Sequence, residues 1–222
     1  MDWTLWNWPF FEPHHQRLAD RVAEWQSPID DHAVTEDTLP EACRAIADSL
    51  ARAGLLDLVV PQEGDRIDLR SVCIAREGIG YRSALADCVI AMQGIGAGAI
   101  ALEGSAAQRE LLGAFRSGRQ IAAFALTEPG SGSDVAGIQT TAQRDGDHYI
   151  LNGDKAYISN APFADHYVVL ARTGEGPGAR GLSAFSVPTG TPGLIPGAPT
   201  ELIACHPAGP LQFRQCRVPA SA

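Results

Sequence analysis

The residues best suited to chemistry lie in one run, Phe124-Ala-Leu-Thr-Glu-Pro-Gly-Ser-Gly-Ser-Asp134. An apolar stretch from Ile121 to Leu126 stops at Thr127-Glu128. Pro129-Gly130 then turns the chain, and Ser131 to Asp134 offer small residues and hydroxyls. Glycine lets a backbone approach a ligand closely, and successive N–H groups in such a turn can form an anion-binding nest. The same composition also suits an ordinary polar loop after a strand. The residues C-terminal to the loop decide between the two.

Other chemistry-bearing patterns are sparse. Five cysteines (Cys43, Cys73, Cys88, Cys205, Cys216) include no C-x-x-C, so neither a disulfide framework nor a zinc site is expected. Reduced thiols and a cytoplasmic location are the expectation. The six histidines show no H-E-x-x-H spacing, no metal site is expected, and His14-His15 reads as structural or solvated. Gly94-Ile-Gly-Ala-Gly-Ala99 imitates a dinucleotide-binding fingerprint. No regular βαβ alternation comes after it, so close helix packing by small residues explains it better.

The elements that must position the loop can be read in order. A chain of 222 residues, 45% hydrophobic and 19% charged, suits one large domain or two small ones. A net charge of −9 with no Lys/Arg run argues against nucleic acid and anionic membrane surfaces as partners. No Arg or Lys precedes Arg17, so a signal peptide is not expected. Trp3, Trp6, Trp8, Phe10 and Phe11 are expected to pack into a core.

Leu18, Val22 and Trp25 recur at helical spacing. Thr38 to Glu41 reads as a capping box, with Ala42, Ile46 and Leu50 next on one face and a stop at Gly54. Asp68 and Ser83 are further helix starts. Ser83 opens a long apolar segment to Leu102, read as a core helix because Asp87, Gln93 and glycines interrupt it. Ser105 to Gln108 is a second capping box, and Gly118 closes the helical part. After Ile121 the pattern becomes short alternating runs. Asp145-Gly146 and Asn152-Gly153 read as hairpin turns, and Leu202–Ala204 and Leu211–Val218 as late strands. The expectation is an α+β protein: an all-α domain over residues 1–118, then an antiparallel β-barrel or sandwich over 119–222.

The Thr127–Asp134 loop and the later run Asn152-Gly-Asp-Lys-Ala-Tyr-Ile-Ser-Asn160 together resemble the acyl-CoA dehydrogenase family, as does the closing run Leu211 to Pro219. The resemblance covers nearly the whole chain and is strongest from Ile121. It implies FAD as cofactor, an acyl-CoA thioester as substrate, α,β-dehydrogenation with hydride transfer to flavin N5, and an electron-transfer flavoprotein as acceptor. At matching positions Phe124, Leu126 and Thr127 would line the flavin's pyrimidine edge. Tyr157 would cover a flavin face, Ser159 would reach N5, and Ser133 would contact the acyl-CoA. Tyr157 and Ser159 stand where Trp and Thr are frequent, and each keeps the needed feature, an aromatic face or a hydroxyl. Glu128 is not a base position in the family, and a structural role is expected. The family's catalytic carboxylate lies in a C-terminal helical bundle beyond this run of sequence, so no residue here is assigned as catalytic. The readings left open are an enzyme completed by that bundle, a non-catalytic flavin- or acyl-CoA-binding subunit, and a related flavin oxidase or monooxygenase. Each implies a homo- or hetero-oligomer or a further helical domain.

Overall fold

The computed structural model describes residues 8–62, 66–174, 176, 178–203 and 206–222. Helices come first: α1 (Pro13–Glu24), α2 (Leu39–Arg52), α3 (Leu69–Gly80), α4 (Ala84–Glu103), α5 (Ala106–Arg109) and α6 (Leu111–Arg116). Local side-chain bonds set their starts. Asp68 accepts from the Arg70 N–H, Ser83 from that of Ala86, and Ser105 and Gln108 exchange both bonds of a capping box. Thr38 is not the cap its sequence context suggests. Its hydroxyl accepts the Thr35 N–H at 2.9 Å and gives the helix no side-chain bond. A threonine hydroxyl readily serves nearby backbone instead of a helix end.

The apolar helix faces converge on Ile46, Leu50, Leu56, Ile79, Ile90 and Phe115. Of the N-terminal aromatics, Phe11 packs against this core, but Trp8 and Phe10 are exposed. Phe10 is held outside by Arg70, whose guanidinium lies 5.8 Å from its ring centroid and bonds its carbonyl. Trp3 and Trp6 lie outside the described residues.

Helix α4 is long and apolar enough to cross a membrane by length and composition, yet half of its apolar window is buried inside the protein. Gln93 sits at its centre. Its amide donates to the carbonyls of Phe115 (2.9 Å) and Gln120 (2.7 Å), and its oxygen accepts the Ala122 N–H. These bonds satisfy backbone groups at the passage from helix to sheet, where an unpaired group would be costly. A Cβ on Gly94 would lie 2.8 Å from Val59 Cβ, and one on Gly96 2.6 Å from Ala122 Cβ. Gly94 and Gly96 are therefore close-packing positions, as expected, while Gly98 has open space beside it.

The β part is a mixed sheet, not the antiparallel unit expected. Strand β1 (Ala122–Ala125) runs parallel to β4 (His166–Arg172), which pairs antiparallel with β5 (Leu182–Pro188). Strand β2 (Thr141–Asp145) joins β4 parallel at Thr141, and β3 (His148–Ser159), β7 (Ala208–Pro219) and β6 (Leu194–Pro196) continue antiparallel from β2. The chain between β1 and β4 holds the motif loop and the β2–β3 hairpin. That is a long enough crossover for parallel pairing, which a tight turn forbids.

Asp145-Gly146 turns as expected, with Gly146 at φ +62, but Asn152-Gly153 lies inside β3. There Gly153 serves close approach, since a Cβ would lie 2.4 Å from Thr140 Oγ1. The Asn152 side chain accepts the Gln215 N–H at 2.8 Å across the sheet. Leu202 and Ile203 lie outside any strand, and Ala204 lies outside the described residues.

Strand β1 divides two cores. Ala122 and Phe124 face the helical core, while Ala123 and Ala125 face a second core with Leu151, Tyr167, Phe185 and Phe213. Arg44 of α2 clamps the two parts. It donates to both Asp165 carboxylate oxygens (2.8 and 3.1 Å) and to the Phe163 carbonyl, while Asp165 accepts the Ile121 N–H.

Candidate functional site

The end of β1 and the second half of β3 form one interlocked unit. The motif loop makes a tight turn in which Glu128 and Ser131 exchange backbone hydrogen bonds at 3.0 and 3.1 Å. Ser131 is buried and its hydroxyl donates to the Asp134 carbonyl. The Glu128 carboxylate accepts the N–H groups of Gln139 (2.7 Å) and Thr140 (2.9 Å). It also accepts the Lys155 ammonium at 2.9 Å. Lys155 donates as well to the Leu126 carbonyl at 3.0 Å, and the Ala156 N–H to that of Thr127 at 2.9 Å.

Glu128 and Lys155 are 7% and 1% exposed, so both charges depend on these partners. Burial alone would raise the Glu128 pKa, but the bonds from Thr140, Gln139 and Lys155 outweigh it and hold the carboxyl below its ordinary value. Burial lowers the Lys155 pKa, with Glu128 opposing. Fully bonded in this way, Glu128 is a structural residue.

Next to the interlock β3 bulges. Lys155 pairs with Leu211 and Ile158 with Gly209, so β3 carries one extra residue here. Tyr157 sits in the bulge at φ +56 and is 66% exposed. Positive φ is costly for a bulky non-glycine residue, and here the ring lies exposed one residue after Ala156, whose N–H is bonded to the Thr127 carbonyl.

The other expected residues are distributed around this point. Leu126 and Thr127 are half-buried and tied to β3 through their carbonyls. Phe124 packs toward the helical core. Ser133 is exposed on the loop, and Ser159 is half-buried two residues past the bulge.

His206 completes the Ser159 environment. Its Nε2 lies 2.8 Å from Ser159 Oγ and its Nδ1 2.7 Å from Cys88 Sγ on α4. Both Cys88 and His206 line a cavity of about 770 Å³, together with Arg82, Leu85 and Ile203. Sequence reading missed this histidine, since nothing in local spacing connects positions 88, 159 and 206.

His14 and His15 behave as expected. Glu12, His14 and His15 bring possible ligand atoms within 4.8 Å of one another. The buried His15, however, accepts the Glu12 N–H on Nδ1 and so donates from Nε2 to Asp68 at 2.8 Å. Both ring nitrogens are spent holding α1 to the start of α3.

A helical layer followed by a curled mixed sheet defines the class: a half-barrel packed on helices. Residues 123–216 match the family described as acyl-CoA dehydrogenase, middle domain. Isobutyryl-CoA dehydrogenase of Dictyostelium discoideum is 43% identical over 133 residues, which is 59% of this chain and 32% of that protein. The structure of glutaryl-CoA dehydrogenase from Mycobacterium smegmatis superimposes with a TM-score of 0.80 at 30% identity, covering 96% of this chain and 56% of the other. An acyl-CoA dehydrogenase from Bacillus anthracis complexed with FAD gives 0.79 at 29% identity, covering 96% and 38%. Residues 123–216 are an acyl-CoA dehydrogenase middle domain, and the chain spans about half or less of the length of these relatives.

Proposed function

We propose that this chain is the helical and β portion of an FAD-dependent acyl-CoA dehydrogenase acting on an acyl-CoA thioester, with an electron-transfer flavoprotein as electron acceptor. One observation carries the reading: Tyr157 is held in a costly backbone conformation, exposed, on a bulge braced by the buried Glu128–Lys155 pair. Strain of this kind costs about 1–3 kcal/mol and persists where a site uses it.

The residues present fit a flavin. Tyr157 offers an exposed aromatic face, Ser159 follows two residues later on the same strand, Thr127 is tied by its carbonyl to the N–H of the neighbouring Ala156, and Leu126 adds an apolar residue. When bound, the flavin supplies the hydride acceptor for the reaction. The chain's own residues hold and orient it. Donors at Thr127 and Ser159 favour negative charge developing at the ring edge, and the exposed Ser133 loop supplies donors toward the acyl-CoA. The catalytic carboxylate, by family resemblance, comes from a helical bundle outside these residues. The full active site therefore combines this wall with that bundle, within one polypeptide or between two.

Anaerobic addition of an acyl-CoA to the flavin-loaded protein, completed by its helical bundle, tests the reading. Bleaching of the oxidised flavin band, with slow return in oxygen while product is bound, is the expected result. A flavin that stays oxidised with straight-chain, branched and dicarboxylic acyl-CoAs alike would favour a non-catalytic binding subunit.

A further inference from the structure

We propose that His206 is a positioning residue: it fixes the direction of the Ser159 hydroxyl at the flavin wall, and Cys88 fixes the His206 ring in turn. The inference rests on the flavin-binding reading above. Ser159 lies on β3 and Cys88 on α4, and His206 contacts both, at 2.8 and 2.7 Å. The three side chains therefore join the helical layer to the strand that carries the candidate site.

The hydrogen count sets the chemistry. A neutral imidazole has one N–H and one lone pair, while a serine hydroxyl both donates and accepts. With the lone pair on Nε2, Ser159 must donate to His206, and its oxygen can then only accept from a ligand. With the proton on Nε2, His206 donates and the Ser159 hydrogen is free to point at an accepting ring nitrogen. The Cys88 contact decides between them: a thiol that donates into Nδ1 puts the ring's proton on Nε2 and gives the second arrangement, while an Nδ1–H donated to Sγ gives the first. Burial lowers the His206 pKa from 6.5, so the ring is neutral at neutral pH and the choice of tautomer operates there.

The test is an FAD titration of the purified protein, read by affinity and by the visible band of bound flavin. It compares the wild type with His206→Ala, Ser159→Ala and the double variant. Each single change is expected to weaken binding about tenfold, the size of one net hydrogen bond, and to move the band alike. The double variant should be no worse than either single, because both act through one hydroxyl. Cys88→Ala should move the band in the same direction by less, and an unmoved band there removes Cys88 from the proposal.

A His206→Ala protein that binds and absorbs like wild type, or losses that multiply in the double variant, would overturn the positioning role while leaving the flavin reading intact. A wild-type protein that takes up no FAD, even with the helical bundle supplied, would sink both. His206→Gln, whose amide can reach Ser159, should restore the wild-type band. If it folds and instead reproduces the Ser159→Ala band, the positioning role fails.

Discussion

Two side-chain assemblies on β3 sit four residues apart and differ in kind. At Lys155 three hydrogen bonds tie the strand to the loop after β1, from Lys155 to Glu128 and Leu126 and from Ala156 to Thr127, and the buried Glu128 accepts two more from Gln139 and Thr140. At Ser159 a half-buried hydroxyl meets one imidazole beside an open cavity. The first holds the backbone in shape, and the second leaves a group available at the surface of that shape. Tyr157 lies between them and carries the strain. The difference teaches that the most specific sequence signal, the paired motif, encodes the frame of the site more than its contact surface.

Breaking the frame should have the largest effect. Lys155→Met leaves the Glu128 carboxylate buried without its cation, and removing one partner of a buried pair costs about 3–5 kcal/mol. Denaturant unfolding should show that loss, with a smaller one for the Glu128→Gln/Lys155→Met double variant. Equal losses would mean that a stranded Glu128 charge is not what the single change costs.

A second effect of similar order lies at the helix–sheet contact. His166 is 8% exposed, lies against Phe115 and Ser186, and burial pushes its pKa down to about 4 from 6.5, with Asp165 opposing. A depressed folded-state pKa means that the unfolded chain binds the proton more tightly. Stability is therefore full above about pH 6.5 and falls as pH drops toward 4, by on the order of 3 kcal/mol. Unfolding curves across that window should show the drop, and His166→Asn should flatten it.

Smaller still is the Arg44 clamp. Its side chain is 41% exposed, so Arg44→Ala should cost only about 1–2 kcal/mol despite its bonds to Asp165 and Phe163. A loss as large as that of Lys155→Met would contradict the ranking.

These contrasts also explain what could be read without coordinates. Helix starts at Asp68, Ser83 and Ser105 were legible because a cap is a contact between near neighbours. Thr38 was misread for the same local reason, since Thr35 competes for its hydroxyl. The motif pair announced a shared site, but not that Lys155 reaches Glu128, a contact spanning 27 positions. Asn152-Gly153 mimics a hairpin turn because the residues that suit a turn also suit a strand crossed closely by Thr140. The parallel pairing of β1 with β4 and the approach of His206 to Ser159 and Cys88 depend on long-range packing. No spacing rule within a short window carries either one.

Tyr157 gives the smallest effect on stability and the sharpest one on function. Glycine adopts positive φ without steric cost, so Tyr157→Gly should leave stability unchanged or raise it by up to about 1 kcal/mol. The same change removes the aromatic face proposed to cover the flavin. The decisive measurement is an FAD titration of Tyr157→Gly beside the wild type, with thermal melts of both apoproteins. At least a tenfold weaker affinity with an unlowered melting temperature is the predicted result. Wild-type affinity in the glycine variant would contradict the claim that the strained tyrosine is held outward to carry the cofactor.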